Sequence, residues 1–265
     1  MGIYLYTTYY NEKHPPRKKE LISCIKKNVD NPYFESIVIF NEGDSLKELC
    51  SEKIVEVQVD ERPTYDDFIG YINSHTFNDT IHIIANTDIF FDKEIAVLEH
   101  LDLKEICFAL ARWDTTESRK PLLFNQNDSQ DAWVFKGKIN EELKAPYPLG
   151  VARCDNRFLY DLELSGYKVL NPAFSIKAFH MHKGQRHVIY TEADNIYNIK
   201  PPYRYKYPHN LYGFFKTFLH NTSKKPKVGR YRYDIKKINA WIPVKGVRYI
   251  FETMTGKKMP LIGYK

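Results

Sequence analysis

The sequence has 265 residues, of which 43% are hydrophobic and 27% charged, and its formal net charge at pH 7 is +6. This composition favours a globular chain, and the length suits one large α/β domain or a domain with an appendage. No apolar run reaches the roughly 18 residues of a membrane span, and the N-terminus lacks signal-peptide features, so a cytoplasmic protein is expected. Four widely separated cysteines without a C-x-x-C pair predict reduced, mostly buried thiols.

The first half of the chain alternates strand and helix signals. Runs rich in β-branched and aromatic residues predict strands, and apolar residues three and four apart predict helices. Strands separated by helices of this length imply right-handed crossovers and a mainly parallel sheet. The predicted elements in chain order are a strand at 3–9, a helix at 17–29, a strand at 36–40, a helix at 45–52, a strand at 53–59, a helix capped by Thr64 and running to Ser74, a strand at 80–85, a helix at 93–100 and a strand at 105–111.

The pattern changes after residue 111. Residues 112–128 are polar and rich in turn formers, and they precede a strand-like segment at 131–137. A helix is predicted over 157–165, ended by Gly166, followed by strands at 167–170 and 174–179. The chemistry is expected in a first domain over 1–195, with a basic, aromatic-rich extension over 196–265.

The extension differs sharply in charge from the rest of the chain. Residues 200–265 contain 16 Lys or Arg against Asp234 and Glu252, a balance of +14, whereas residues 1–199 carry −8. Cations interleaved with aromatic rings suit an anionic membrane or a charged glycan, and they also suit nucleic acid. Residues Tyr212, Phe215, Phe218 and Leu219 recur at helical spacing and predict an amphipathic helix. The alternative is that the extension packs its aromatic residues on the first domain.

Three polar clusters lie at predicted strand ends or helix starts: Asn86-Thr87-Asp88, Cys154-Asp155-Asn156 and His180-Met181-His182. Ligands of open α/β sheets bind beyond the carboxyl ends of strands, and oxygen ligands with one imidazole suit Mn²⁺ or Mg²⁺. As an alternative, the Asn and Asp side chains only satisfy turn amides. Two histidines at i and i+2 of a strand face opposite sides, so at most one of them is expected to bind metal.

Asp155 lies at the start of a predicted helix. The positive end of the helix dipole would keep its carboxylate ionised, which describes a general base acting on an acceptor hydroxyl. The alternative is a helix cap without a catalytic role.

These clusters, together with Gly150, the Cys154-Asp155-Asn156 helix entry, Gly166-Tyr167 and a late histidine, resemble GT-A fold glycosyltransferases over roughly residues 1–190. The resemblance implies that Asp88 fills the last position of a D-x-D motif whose first position is Asn86. It implies Mn²⁺ or Mg²⁺ bound by Asp88 with His180 or His182, and Asp155 as the catalytic base.

The same resemblance implies a wider set of ligand-binding residues. The predicted donor-binding residues are Thr7, Thr8, Tyr9, Asn11, Arg62, Tyr65, Asn86, Thr87 and Asp88. Aromatic rings beside hydrogen-bonding groups suit sugar faces, which gives the predicted acceptor-binding residues Arg112, Trp113, Trp133 and Asn156, with Asp131 as a second candidate base. Core packing is the competing interpretation for Tyr65 and Trp133.

The expected function is transfer of a sugar from a nucleotide-diphosphate donor to a hydroxyl of a glycan or lipid-linked glycan, in surface polysaccharide or glycoconjugate synthesis. A UDP-sugar is the favoured donor, with a GDP-sugar as the alternative. A single base serving one displacement predicts inversion, and retention stays open. Nucleic acid is not an expected partner. The competing hypotheses are a nucleic-acid-binding protein acting through the extension and a nucleotidyltransferase, although Gly2, Gly43 and Gly70 are isolated and form no phosphate loop.

Overall fold

The computed structural model describes residues 2–46, 49, 51–75, 79–116, 119–124, 127–181, 199–211 and 242–259. The elements in chain order are β1 (Ile3–Tyr9), α1 (Pro15–Val29), β2 (Phe34–Asn41), β3 (Ile54–Gln58), α2 (Tyr65–His75), β4 (Ile81–Ala85), β5 (Ile89–Phe91), a 3-10 helix (Lys93–His100), β6 (Ile106–Leu110), β7 (Arg112–Thr116), β8 (Arg119–Leu123), β9 (Ala132–Lys136), α3 (Cys154–Leu164), β10 (Lys168–Leu170), β11 (Ala178–Met181) and α4 (Ile242–Thr255).

The main sheet has seven strands in the order β10-β6-β9-β4-β1-β2-β3. All neighbouring pairs are parallel except the two made by β9, which runs antiparallel to β4 and β6. The prediction of an α/β fold with a mainly parallel sheet is therefore confirmed. Strands β2 and β3 extend the sheet on one side of β1, and β4 adds on the other side. The strand order thus reverses between β1 and β4, where open α/β sheets form their ligand crevice.

Both faces of the sheet are buried, which explains the continuous apolar runs in its central strands. In β2, Ile37 and Ile39 pack into a core shared with Ile25 of α1, while Val38 and Phe40 pack into a second core. The second core also contains Phe68 of α2 and apolar side chains of α3. Helices therefore cover the sheet on both sides.

A second sheet with the order β5-β11-β7-β8 corrects the interpretation of residues 112–128 as a turn-rich loop. Strands β7 and β8 form an antiparallel hairpin, and β11 pairs parallel with β7 and antiparallel with β5. The hairpin escaped prediction because polar residues dominate it and its pairing with β11 is long-range. The strand predicted at 174–179 instead begins at Ala178, since the amides of Ser175 and Ile176 donate to the Pro172 carbonyl in a turn.

Local sequence signals around α2 and the cysteines are confirmed. Thr64 and Asp67 cap α2 reciprocally: the Thr64 amide donates to Asp67 Oδ2 at 2.7 Å, and the Asp67 amide donates to Thr64 Oγ1 at 3.3 Å. Cys24, Cys107 and Cys154 are free and buried. Among the described residues no helix has the length and apolarity needed to cross a bilayer.

The described parts of the extension contact the first domain. The Arg204 amide donates to the Asn156 carbonyl at 2.9 Å, and Glu252 of α4 accepts from Asn127 Nδ2 at 2.7 Å. The division of the chain near residue 195 stays a prediction. The described residues exclude His182, the predicted amphipathic segment at 212–219 and the fourth cysteine, Cys50. They also exclude two parts of the extension in which aromatic residues lie among cations, residues 230–233 and Trp241.

Candidate active site

The two central strands of the main sheet end side by side. Thr8 near the end of β1 and Thr87 just after β4 have hydroxyl oxygens 3.0 Å apart, and the Thr87 hydroxyl donates to the Thr8 carbonyl at 2.6 Å. This contact ties the Asn86-Thr87-Asp88 turn to the point where the strand order reverses. Because β9 runs antiparallel, Asp131 at its start reaches the same edge. Thr8, the Asn86-Thr87-Asp88 turn and Asp131 therefore lie at one edge of the main sheet.

Asp88 lies between two cationic side chains. Its Oδ2 accepts hydrogen bonds from Arg17 Nη2 and from His180 Nε2, the latter at 3.2 Å. Burial acts to raise the pKa of Asp88, but the hydrogen bonds and charges of His180 and Arg17 outweigh it and hold that pKa well below its usual range. At neutral pH the ionised form of Asp88 is therefore favoured within a cationic cluster.

The second sheet positions His180 by its strand register. In that sheet His180 of β11 lies opposite Ile89 of β5, the neighbour of Asp88, and opposite Asp114 of β7. Its Nδ1 is 2.9 Å from Asp114 Oδ1, so each ring nitrogen contacts a carboxylate. Burial acts to lower the pKa of His180, yet its hydrogen bonds to Asp114 and Asp88 raise it to about 9. His180 is therefore an imidazolium at neutral pH.

Arg112 links this cluster to Asp131. Its Nε donates to Asp114 Oδ1 at 3.0 Å, and its Nη1 donates to Asp131 Oδ2 at 3.2 Å. Asn86 Nδ2 donates to the other oxygen of Asp131 at 3.0 Å. Asn86, which stands at the first position of the D-x-D-like motif, thus orients Asp131. Arg112 is largely buried and fixes both carboxylates, so it serves as a positioning residue in this arrangement.

Asp155 lies in the first turn of α3, which starts after Arg153 in the left-handed conformation (φ 72°). Asp155 accepts from the Asn156 amide at 2.9 Å and from the Gln130 amide at 3.4 Å. Burial, followed by the charge of Asp131, raises the pKa of Asp155 to about 7 against these hydrogen bonds. The argument that the helix dipole keeps Asp155 fully ionised is corrected, because desolvation and the neighbouring carboxylate are stronger.

The described residues around Asp88 do not fit a divalent cation in this arrangement. Such a cation needs several ligands with available lone pairs. Arg17 and His180 both donate to Asp88 Oδ2, so the lone pairs of that oxygen are already used. Both ring nitrogens of His180 contact carboxylates, so neither is available to a metal. No group of three His, Cys, Asp or Glu side chains in the described ranges is arranged to hold a metal. The third predicted ligand, His182, is not among those ranges.

Arg62 lies on the solvent side of the same edge. A Cβ added to Gly150, whose φ is +79°, would lie 2.9 Å from Arg62 Nη2 and 3.4 Å from Asn86 Oδ1. The glycine therefore permits both the backbone turn before α3 and the close approach of the guanidinium. Arg62 is exposed, so it is available to an anionic ligand.

The remaining predicted donor-binding residues lie at the end of β1 or just after it, and they differ in exposure. Thr7 and Thr8 are buried at the end of β1, and within the described chain no group pairs with the Thr7 hydroxyl. Asn11 is exposed, and its Nδ2 donates to Asp44 Oδ2 at 3.0 Å. Tyr9, by contrast, packs into the core, so its ring cannot stack on a nucleotide base.

Three more predicted contact residues are corrected by their burial. Tyr65 stacks on Phe158 with ring centroids 4.0 Å apart, and Trp133 meets Tyr65 edge-on at 5.2 Å. Tyr65, Trp133 and Asn156 have no solvent-exposed surface, so none can contact a ligand that enters from solvent. Trp113 remains a candidate, since it is partly exposed while its indole N–H donates to the Ala173 carbonyl at 2.7 Å.

Sequence reasoning missed Arg17 and Asp114. Arg17 is 71 residues from Asp88 in the chain, and only the fold reveals their contact. One signal was available: Arg17 and Lys18 lie in the first turn of α1, where the helix dipole disfavours cations. Asp114 gave no comparable signal, because its role depends on the register between β7 and β11.

No family model matches the sequence, and no curated protein is significantly similar to it. Among solved structures, the mannosyltransferase PcManGT from Pyrobaculum calidifontis, in complex with GDP-Man and Mn²⁺, aligns with a TM-score of 0.44 and 11% identity over 70% of this chain and 57% of that one. GalNAc-T7 with UDP, GalNAc and Mn²⁺ aligns with a TM-score of 0.44 and 8% identity over 72% of this chain and 45% of that one. The 4-diphosphocytidyl-2C-methyl-D-erythritolsynthase from Anaerococcus prevotii aligns with a TM-score of 0.41 and 11% identity over 74% and 93%.

The chain thus spans about half the length of the first two proteins. Glycosyltransferases are among the structures that it resembles. Because all three TM-scores are below 0.5, the functional argument rests on the residues of the site.

Proposed function

We propose that the protein transfers a sugar from a nucleotide-diphosphate donor to a hydroxyl group of a glycan acceptor. The observation that carries this proposal is the pair of carboxylates at one sheet edge with opposite environments. Asp88 is held ionised by Arg17 and His180, whereas burial and Asp131 raise the pKa of Asp155 to about 7. A carboxylate whose pKa lies near the operating pH suits proton transfer, and an ionised carboxylate in a cationic cluster suits positioning.

Asp155 is the general base of the proposed reaction. Its carboxylate takes the proton of the acceptor hydroxyl while that oxygen forms a bond to the anomeric carbon. The bond from the anomeric carbon to the diphosphate oxygen breaks at the same time, and the nucleoside diphosphate leaves with that electron pair. A single displacement of this kind inverts the anomeric centre. Asp131 acts through Asp155, because its charge raises the pKa of the base.

The leaving diphosphate needs positive charge at the strand-order reversal. Arg62 is exposed beside Gly150, and Arg17 is partly exposed at Asp88. Guanidinium groups bind phosphate oxygens in a bidentate manner, so both are suited to the diphosphate. Trp113 is partly exposed next to Arg112, with Lys177 Nζ 5.6 Å from its ring centroid, and is the aromatic side chain proposed to contact a sugar.

The first experiment measures donor binding by the full chain. Thermal-shift and calorimetric titrations with UDP, GDP, CDP and dTDP, each with Mn²⁺ and with EDTA, should find one nucleotide that raises the melting temperature. Arg62→Gln should weaken that nucleotide's binding. Asp155→Asn should retain it and lose hydrolysis or transfer of the matching sugar nucleotide. Asp102→Asn is the matched control, since Asp102 is exposed before β6 at the opposite edge of the sheet.

Three outcomes would overturn the proposal. The first is that no nucleotide changes the melting temperature. The second is that Asp155→Asn retains full transfer activity. The third is release of pyrophosphate from a nucleoside triphosphate and a sugar phosphate, which would identify a nucleotidyltransferase instead.

A further inference from the structure

Helix α4 (Ile242–Thr255) has two opposite faces, and among the described residues its contacts with the rest of the protein are made by one of them. On the inner face Tyr249 is 5% exposed and packs its ring on Tyr207, with centroids 4.9 Å apart. Glu252, 2% exposed, accepts from Asn127 Nδ2 at 2.7 Å and from the Tyr207 hydroxyl at 2.6 Å. These contacts fix the rotation of α4 and determine which side chains point outward.

The outer face carries an apolar stripe formed by Val247, Ile250, Phe251 and Met254. Their exposed fractions are 57%, 49%, 39% and 80%. Their spacing of i, i+3, i+4 and i+7 places them on one side of a helix. In the described part of the chain eight large hydrophobic residues are exposed, and four of them lie in this stripe. The stripe is therefore a concentrated apolar patch on the surface. Contiguous exposed apolar surface marks an interaction site.

The charges around this stripe have one sign. Arg248 borders it beside Phe251, and exposed Lys257 follows the end of the helix on the side of Ile250, whereas half-buried Lys245 lies on the side of Tyr249 and Glu252. The sole acidic residue between 242 and 259 is Glu252, which faces inward. The outward surface of α4 therefore combines large apolar side chains with cations and carries no carboxylate of the helix. Helices of this composition lie in the plane of an anionic bilayer, with apolar side chains at the headgroup boundary and cations among the headgroups.

We propose that α4 docks the protein on the surface of an anionic lipid bilayer through this stripe. A symmetric dimer through the same face is disfavoured, because it would bring the flanking cations of two copies together without an acidic partner. Four side chains also supply far less than the roughly 800 Å² per partner of a stable protein interface. The proposal does not depend on the proposed transferase activity.

The test is co-sedimentation of the full chain with lipid vesicles. The protein should sediment with vesicles of equal parts phosphatidylglycerol and phosphatidylcholine and stay in the supernatant with phosphatidylcholine alone. Ile250→Ser with Met254→Ser should reduce vesicle binding by at least about tenfold, since each buried methylene contributes about 0.8 kcal/mol. Lys257→Gln should weaken binding about fivefold, because a cation near such a surface contributes about 1 kcal/mol.

Leu122→Ser with Leu164→Ser is the matched control, since these residues are 66% and 72% exposed and lie elsewhere on the surface. This control should bind vesicles like the wild type, and circular dichroism should show that all variants are folded. Equal binding of the α4 variant and the wild type would overturn the proposal. So would absence of vesicle binding, or a wild-type dimer in sedimentation velocity that Met254→Ser dissociates without any vesicle binding by the wild type.

Discussion

Asp88 and Asp155 lie at the same edge of the main sheet, yet their surroundings act on them in opposite directions. Asp88 receives hydrogen bonds from two cations, Arg17 and His180, which hold its pKa below its usual range. In the described part of the chain Asp155 accepts from two backbone amides and faces the charge of Asp131, so burial dominates and raises its pKa to about 7. The contrast shows that the immediate partners, rather than the position at the edge, determine which carboxylate can exchange a proton near pH 7.

The largest expected effect comes from removing the group that exchanges the proton. Asp155→Asn keeps the size of the side chain but cannot accept a proton, so we expect the transfer rate to fall by about 10²–10⁴. Nucleotide binding should change little, because the cations proposed to bind the diphosphate are untouched. Steady-state kinetics with the donor identified by titration would measure the fall in kcat.

The same substitution should stabilise the fold at alkaline pH. The folded pKa of Asp155 exceeds that of an unfolded aspartate, near 3.8, so ionising it costs the folded state more as pH rises from about 4 to 7. Asp155→Asn removes that cost, and its melting temperature should exceed that of the wild type at pH 8 and match it near pH 4. If the variant is less stable than the wild type at pH 8, the folded state does not raise the pKa of the Asp155 carboxylate.

Breaking the Asp88 cluster should have the next largest effect, on stability. Asp88→Asn leaves Arg17 and His180 without their shared carboxylate, and loss of one partner of a buried ion pair costs about 3–5 kcal/mol, or somewhat less at this partly exposed site. Urea unfolding would measure the loss in the free energy of unfolding. In a double-mutant cycle with Arg17→Gln, a coupling energy near zero would contradict the proposed pairing.

His180 makes part of this loss depend on pH. Its folded pKa of about 9 lies above the usual 6.5, so the stability that its charge contributes is complete below pH 6.5 and disappears as pH rises through about 9. The cost of Asp88→Asn should therefore be smaller at pH 10 than at pH 6. His180→Gln should make the remaining cost of Asp88→Asn independent of pH over this range.

The sequence predicted the strand end that precedes Asn86-Thr87-Asp88, and for a local reason. A buried run followed at once by polar residues identifies a strand end, and parallel strands bring their carboxyl ends to one edge. The capping of α2 by Thr64 and Asp67 was equally local, because the two residues lie within one helical turn. Such signals can be read without knowing which elements become neighbours.

The charge partners could not be predicted in this way. Arg17 and His180 reach Asp88 from α1 and β11, and the β7–β11 register that pairs His180 with Asp114 is not encoded in either segment alone. The direction of the pKa shift at Asp155 depends on its burial and on the charge of Asp131, which the fold brings near it from the start of β9. For Tyr65 and Trp133 the error had another source, since an aromatic side chain suits a ligand site and a core equally well.

A smaller effect should separate Asp131 from Asp155. Asp131→Asn removes the charge that helps to raise the pKa of Asp155 but leaves the base in place. The acidic limb of the pH profile of kcat should therefore move to lower pH, by about one pH unit, with activity retained at pH 8. If Asp131 were itself the base, the same variant would lose activity at every pH.

The smallest expected effect tests the turn that leads into α3. Alanine at Gly150 must adopt a φ of +79°, which costs about 1–2 kcal/mol, and its Cβ would displace the Arg62 guanidinium, whose Nη2 lies 2.9 Å from the Cβ position. Gly150→Ala should therefore lower the free energy of unfolding by that amount and also weaken nucleotide binding. Gly70→Ala is the matched control: Gly70 lies inside α2 with open space around its Cβ position, so alanine should raise stability by up to about 1 kcal/mol. If Gly150→Ala lowers stability but leaves nucleotide binding unchanged, Arg62 does not contact the donor. The diphosphate must then be bound by other cations, and Arg17 beside Asp88 is the first of these to substitute.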